Sequence, residues 1–361
     1  MRSMPQLFEP LKLRGLTLKN RIAVSPMCMY SSQDGFANDW HLVHLGGRAC
    51  GGAALVMTEA AAVEPEGRIS PDDLGIWNDD HIEFLKRITT FIKSQDAAPG
   101  IQLAHAGRKA STYSPHVRAQ KDYIPEGQGG WKPVAPSPIP FDATATVPSE
   151  LTTDGIQRVV HKFVEATGRA LEAGFEVVEI HSAHGYLLNE FLSPISNHRR
   201  DSYGGSFENR TRLIREIVSA IRKIWPGDKP LFLRISATDW MEPDGWTIEQ
   251  FVELARMVKG LGIDLIDCSS GGLVPDAKVR AAPGYQVPFA EKIRREAGIT
   301  SGAVGLITSA EQAGLIIRNG QADLVLLARQ LLRDPYFPLH AATELHVDVP
   351  WSKQYKRAKE G

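Results

Sequence analysis

Three cysteines in 361 residues are too few, and too widely spaced at 28, 50 and 268, to build a disulfide framework. They point to a reducing compartment, and by themselves they cannot hold a four-cysteine iron–sulfur cluster. No apolar run approaches bilayer-spanning length, and residues 1–13 lack the apolar centre of a secretory signal. The expectation is a cytoplasmic protein with no membrane partner. Charge of either sign is not in excess: 41 Lys and Arg against 42 Asp and Glu leave a net −1, with no footprint for nucleic acid. No GxGxxG occurs, so a Rossmann nicotinamide site is not indicated. Low-complexity tails, interdomain linkers and sequence repeats are absent too.

What the chain does have is alternation. A helical segment ends near glycine, a short apolar strand follows, and polar or glycine residues cluster just after it. Strands are predicted at 22–25, 54–58, 100–103, 177–180, 231–235, 265–268, 302–304 and 324–327. Between them run amphipathic helices. Leu213, Ile214, Ile217, Val218, Ile221 and Ile224 form one stripe. Thr247 with Gln250, and Thr308 with Glu311, have capping-box spacing. Gly174, Gly262 and Gly320 sit where helix C-caps belong. Eight strands alternating with helices favour a closed (β/α)8 TIM barrel over an open sheet. Residues 8–21 read as an N-terminal hairpin with Gly15 in its turn. Residues 105–150, rich in Pro, Gly and polar residues, read as a small capping excursion after strand three. The chain is thus one barrel domain over 1–361, ending in a tail over 349–361.

The most informative stretch is 177–212. Val177, Val178 and Ile180 make a buried strand, and His181, His184 and Tyr186 arrive where it would leave the core. Three readings compete. The histidines and tyrosine could be satisfied packing residues. Two histidines at i and i+3 could ligate a metal. Or both rings could donate hydrogen bonds to one substrate oxygen. The segment from Asn197 to Ser206 is polar, charged and turn-rich, costly to order, and favours the third reading.

Unusual residues collect at one end of the strands, where a barrel carries its active site. Pro26, Met27 and Cys28 follow strand one, and Glu59 and Ala60 follow strand two. Gln102 and His105 end strand three, and His181 and His184 follow strand four. Arg234 lies near the end of strand five, Ser269, Ser270 and Gly271 follow strand six, Gly305 follows strand seven, and Ala328 and Arg329 follow strand eight. Gly302, Gly305, Ala328 and Arg329 suit a phosphate site, or else only tight turns and a surface charge. Gln102 can read a donor and an acceptor edge. Arg234 inside an apolar strand needs an anionic ligand or a buried carboxylate beside it.

Ser25-Pro26-Met27-Cys28-Met29-Tyr30, Ile101-Gln102-Leu103-Ala104-His105-Ala106-Gly107-Arg108-Lys109, His181-Ser182-Ala183-His184-Gly185-Tyr186 and Asn197-His198-Arg199 through Asn209-Arg210 resemble the Old Yellow Enzyme family. The likeness is nearest to its bacterial xenobiotic-reductase, or thermophilic-like, branch, and it runs from about residue 7 to 357. The resemblance implies a barrel with tightly, non-covalently bound FMN and ping-pong, NAD(P)H-dependent reduction of activated C=C bonds. It implies flavin contacts at Ser25, Pro26, Met27, Cys28, Ala60, Gln102, Arg234, Gly305, Ala328 and Arg329. His181 and His184 would grip a carbonyl or nitro oxygen, Tyr186 would donate a proton, and Tyr30 would offer a substrate-side hydroxyl. Cys28 would tune the flavin or lie inert. Arg357 would reach a neighbouring subunit's mouth in a homodimer or homotetramer. Ala328 replaces a glycine common in relatives, and residues 112–135 are longer than in the shortest ones. The alternatives are a zinc-dependent barrel hydrolase using His181 and His184, a larger iron–sulfur relative, and a barrel used only for binding.

Overall fold

The computed structural model describes residues 6–117 and 122–359; four residues of the 112–135 loop and the last two of the tail lie outside them. Eight parallel strands close into a barrel. They are β1 (Ile22–Val24), β2 (Leu55–Ala62), β3 (Ala98–Ala104), β4 (Val177–Ser182), β5 (Leu231–Ser236), β6 (Leu265–Ser269), β7 (Thr300–Ala303) and β8 (Leu324–Leu327). Each pairs with its sequence neighbour, and β8 closes on β1 through Val325↔Ile22, Leu326↔Ala23 and Leu327↔Val24. Helices α1 (Asp39–Cys50), α2 (Ile82–Ser94), α3 (Thr153–Glu172), α4 (Arg212–Ile224), α5 (Ile248–Gly260), α6 (Val287–Glu296), α7 (Ala310–Arg318) and α8 (Phe337–Glu344) follow the strands in turn. The fold is a (β/α)8 TIM barrel.

Several boundaries differ from the sequence reading. Glu59 and Ala60 belong to β2, whose pairing with β3 shifts register between Met57 and Ala60. That bulge lets polar Thr58 and Glu59 sit inside a strand without ending it. His181 and Ser269 are also within their strands, and β3 runs on past residue 103 to Ala104. The Thr247–Gln250 capping box forms, but at α7 the cap is Ser309, whose side chain accepts from the Gln312 N–H. Ile224 leaves the buried stripe of α4 and is exposed. Gly174, Gly262 and Gly320 do take positive φ just past their helices.

Period-2 alternation explains both faces of the barrel. Val178, Ile180, Leu233, Ile235, Ile266, Cys268, Val325 and Leu327 join the layer shared with the helices. Their neighbours face inward. At the bottom these are Ala23, Leu55, Ala98, Val177, Phe232, Leu265 and Leu324, packed with Leu13 and Leu18. Those two leucines come from the N-terminal hairpin, Leu11–Leu13 paired with Leu16–Leu18, which plugs the barrel floor. The hairpin is pinned by Arg14, whose Nε lies 2.6 Å from Asp264 Oδ1, and by the Gly15 N–H to Asp228 O at 2.8 Å. One layer up, β4 contributes Glu179, β5 Arg234, β6 Asp267 and β7 Gly302. Gly302 therefore faces the packed interior: a Cβ there would meet Leu326 Cδ1 at 2.4 Å, so the glycine makes room for a leucine and is not part of a phosphate loop. Above that layer β4, β5 and β6 turn His181, Ser236 and Ser269 inward, and the site begins there.

The excursion after β3 carries short 3-10 turns at Gly107–Lys109 and Glu126–Gln128 and pairs Val134–Ala135 with Ser149–Glu150 in parallel. It leans on the loop after β2: Trp131 Nε1 donates to Glu66 O, and Arg68 stands 5.0 Å from the Trp131 ring. The polar segment after β4 holds it from the other side. Arg199 Nη1 donates to Pro136 O and Leu151 O, at 3.0 and 2.6 Å. Asn197 donates to Phe191 O and Tyr203 O, and Arg210 to Leu192 O and Gly205 O. The arginine charge there is met by backbone carbonyls and, at Arg199, by the Asp201 and Glu150 carboxylates.

Candidate active site

The strand ends of β4 and β6 build the centre of the mouth. His184 has φ of 62°, and Gly272 on the β6 loop packs so closely that a Cβ would lie 2.7 Å from His184 Cα. Only glycine permits that approach. Lys109 Nζ seals the two loops by donating to His184 O at 2.9 Å and Gly272 O at 3.1 Å. The His184 N–H donates to Ser236 Oγ, and its ring Nε2 lies 2.6 Å from Ser269 Oγ. His181 stands edge-on, its ring centroid 5.1 Å from those of both His184 and Tyr186. Among the described residues, the side chains of His181 and Tyr186 make no hydrogen bond, and His181 Nδ1 is buried.

Electrostatics fix the protonation of this trio. Burial, then the Arg234 charge, pushes both imidazoles well below the ordinary histidine range, so each ring is neutral and offers one N–H. Burial raises the Tyr186 phenol, which keeps its proton. The ammonium of Lys109 stands 5.1 Å from the Tyr186 ring, and its pKa is lowered to about 8, chiefly by burial.

Beneath the trio lies a layer not recognised in the sequence. Arg234 Nε is 3.1 Å from Asp267 Oδ2, and its Nη1 donates to Ser25 Oγ at 3.2 Å. Of the two partners open to Arg234, the chain supplies the buried carboxylate. Gln102 Nε2 donates to Glu179 Oε1 at 2.8 Å, which turns the amide oxygen the other way. Glu179 and Asp267 are both fully buried with one guanidinium near them, and burial raises both carboxyls. Asp267 takes the ion pair and Glu179 holds a proton. The signal for both was their place inside otherwise apolar runs, Glu179 between Val178 and Ile180 and Asp267 between Ile266 and Cys268.

On the other side, Arg234, Ser269, Gln286, Gly305, Ala328 and Arg329 line a cavity of about 190 Å³. Gly305 has φ of 116°, and a Cβ would press to 2.9 Å from Gln286 Nε2. Ala328 precedes the short helix Arg329–Arg333, and Arg329 is exposed. A wider groove of about 710 Å³ lies outside the barrel between α3 and α4 and holds none of this chemistry.

Cys28 and Tyr30 follow β1. Burial, then Asp73 and Glu59, pushes the Cys28 thiol well above its ordinary value, so it is a poor nucleophile. Tyr30 has φ of 50° and a raised phenol. Met29 N–H donates to Glu59 Oε2, holding the β1 loop against β2. Pro26 and Met27 lie partly covered beside Cys28, and Ala60 is buried on β2. His105, grouped with the mouth by its position, is taken up instead: Nε2 lies 2.8 Å from Glu64 Oε1, and Nδ1 accepts from Gly107 N–H. Arg357 is exposed, on a tail that docks at the far end of the barrel through Ser352 Oγ to Gln95 Oε1.

The arrangement suits a flavin mononucleotide. Arg234 and the Gln102 amide can face a ring edge, while the Gly305–Ala328–Arg329 cavity has the room and the positive charge for a phosphate. A zinc site lacks donors: among the described residues no group of three or more His, Cys, Asp or Glu could hold a metal ion. No helix among them is long and apolar enough to cross a membrane.

Known proteins carry the same frame. Residues 6–348 match the model of the NADH:flavin oxidoreductase / NADH oxidase family. An NADPH dehydrogenase of Geobacillus sp. (strain WCH70) is 51% identical over 353 residues, 97% of this chain and 98% of that protein. The old yellow enzyme homologue from Zymomonas mobilis superposes with a TM-score of 0.78 at 26% identity, over 97% of this chain and 94% of that one. A 2-naphthoyl-CoA reductase superposes with a TM-score of 0.83 at 26% identity over 94% of this chain, which spans about half (52%) of that longer chain. A barrel whose mouth fits a flavin, matched over nearly its whole length, leaves one assignment: the chain is an oxidoreductase and belongs to the NADH:flavin oxidoreductase / NADH oxidase family.

Proposed function

We propose that this enzyme is an ene-reductase, reducing the activated C=C bond of α,β-unsaturated carbonyl or nitro compounds with NAD(P)H as the spent donor of a ping-pong cycle. The observation that carries this reading is a pair of neutral imidazoles set edge-on, with a protonated phenol whose ring centroid lies 5.1 Å from that of His181, above a buried arginine and glutamine. FMN, held tightly and without a covalent link by Ser25, Pro26, Met27, Cys28, Ala60, Gln102, Arg234, Gly305, Ala328 and Arg329, would supply the hydride. His181 and His184 bind the substrate oxygen. As neutral donors they can strengthen their hydrogen bonds as negative charge grows on it. Ser269 fixes the His184 ring, and Lys109 fixes the loop that carries it. Tyr186 holds a proton at its hydroxyl for the α-carbon. Tyr30 borders the substrate, and Arg357 arrives from a neighbouring copy of the chain.

The test is a pair of half-reactions followed by flavin absorbance. His181→Ala or His184→Ala should slow reoxidation by cyclohexenone about 10²-fold, the usual effect of losing an oxyanion donor, and slow reduction by NADPH much less. A protein that binds no FMN, or variants that lose both half-reactions equally, would remove the reading.

A further inference from the structure

We propose that Asp73 is the acid that returns a proton to Tyr186 after each turnover, through a cavity the two residues share. This rests on the reading of Tyr186 as proton donor. Once that proton has gone to carbon, a buried phenolate remains and must be recharged. The rings around it cannot do this well, since both imidazoles are neutral with strongly lowered pKa values. Lys109 reaches the ring face, but two of its three Nζ hydrogens are taken by His184 O and Gly272 O, and it does not line the cavity that joins Asp73 to Tyr186.

Asp73 is placed for the task. It is 2% exposed and lies in the loop after β2. Oδ2 accepts the Ile69 N–H at 2.6 Å, while Oδ1 is buried without a partner. It makes no ion pair among the described residues. A cavity of about 10 Å³ lies between Asp73 and Tyr186, walled by Ala60, Gly67, Ala104 and Ala106. That is room for about one water molecule. Around it stand Glu59 from β2, Arg68 and the adjacent Asp72 from its own loop, Cys28 and Tyr30 from the β1 loop, and Tyr186 from the loop after β4, with Lys109 over the Tyr186 ring. Burial, with the Glu59 charge and against the Arg68 charge, raises the Asp73 carboxyl to about 8. It is therefore protonated at neutral pH yet a far stronger acid than the phenol. The step balances: the Asp73 O–H breaks, its proton passes through the water, an O–H forms on the Tyr186 phenolate, and solvent reprotonates the carboxylate.

Asp73→Asn keeps the shape and an acceptor for Ile69 but has no proton to give. Reoxidation of pre-reduced enzyme by an enone in a single turnover uses the proton already on Tyr186, so its rate should stay within twofold of wild type. Steady-state turnover should fall on the order of tenfold. The wild-type rate should decline as pH rises past about 8, and the variant should lose that limb. In a Tyr186→Phe background, Asp73→Asn should have no further effect. Should Asp73→Asn fail to fold, Asp73→Ser takes its place with the same expectations. Unchanged steady-state turnover overturns the proposal, as does an equal loss with and without Tyr186. Wild-type turnover is read in the same assay, so its absence removes the function reading as well, whereas a normal wild type beside an unaffected variant removes this proposal alone.

Discussion

Glu179 shows how one side chain sets another without touching the mouth. It accepts from Gln102 Nε2 and keeps its own proton on the carboxyl that no cation reaches as closely as Arg234 reaches Asp267. Two outcomes follow. Glu179→Gln exchanges one uncharged group for another of the same shape, and FMN affinity should change less than threefold. Glu179→Ala frees the Gln102 amide and should cost about 2–5 kcal/mol in stability, the usual range for a large buried truncation. The pH dependence has a definite sign. Folding raises this carboxyl pKa, so the folded chain binds a proton the unfolded chain releases. Stability is full below the ordinary carboxylate range and falls as pH climbs from there toward the folded value. Glu179→Gln removes that slope. Its melting temperature should match wild type near pH 4–5 and exceed it increasingly toward pH 8. Parallel curves would mean that Glu179 is ionised and that Arg234 serves both carboxylates.

At the level of elements, the hairpin is a floor and the strand ends are a rim, and the two are separable. Leu18 is 1% exposed and plugs the interior beside Leu13. Leu18→Ala should lower the unfolding free energy by about 2–5 kcal/mol, read from the urea midpoint, with turnover at the opposite rim within twofold of wild type. Gly107→Ala should do the reverse. Its φ is 60°, and a Cβ would meet Glu190 Oε1 at 2.1 Å, so Glu190 must move and loosen Arg108, whose N–H it accepts. Substrate KM should rise more than stability falls. The strands themselves were legible because each is an apolar run bounded by glycine or polar residues, and the hairpin was legible from Gly15. The true extent of β2 was not: it runs past the predicted end at residue 58 because a bulge admits Glu59 into the strand, and a bulge leaves no local mark. Nor was the carboxylate layer. Asp267 is stabilised by Arg234 and Glu179 is bonded by Gln102, partners 33 and 77 residues away in sequence. Local pattern registers the cost of such a charge but not the group that offsets it. His105 fails for the same reason: its strand-end position is that of a mouth residue, while its partner Glu64 comes from another loop.

At the scale of the whole molecule, the proposed role of Arg357 turns on where the tail sits. Among the described residues its attachments are to one end of the barrel. Ser352 bonds Gln95, which precedes β3, and Tyr355 OH lies 3.2 Å from Tyr336 OH. The mouth is at the other end, so Arg357 has no route to the active site of its own chain, and a role at a mouth requires a second copy. An exposed guanidinium on a turn of basic residues would then meet the rim of the partner's substrate channel. Arg357→Ala should raise KM severalfold while the oligomer, measured by light scattering, persists. A mixed dimer decides the direction. One chain carries Arg357→Ala, and the other carries His181→Ala with His184→Ala. If the arginine crosses, the mouth with intact histidines borrows Arg357 from the histidine-mutant chain and should show the wild-type KM, at half the sites. If the arginine acts within its chain, that same mouth should show the raised KM of Arg357→Ala. The second mouth lacks its histidines in either case, so the KM of the active half alone carries the answer.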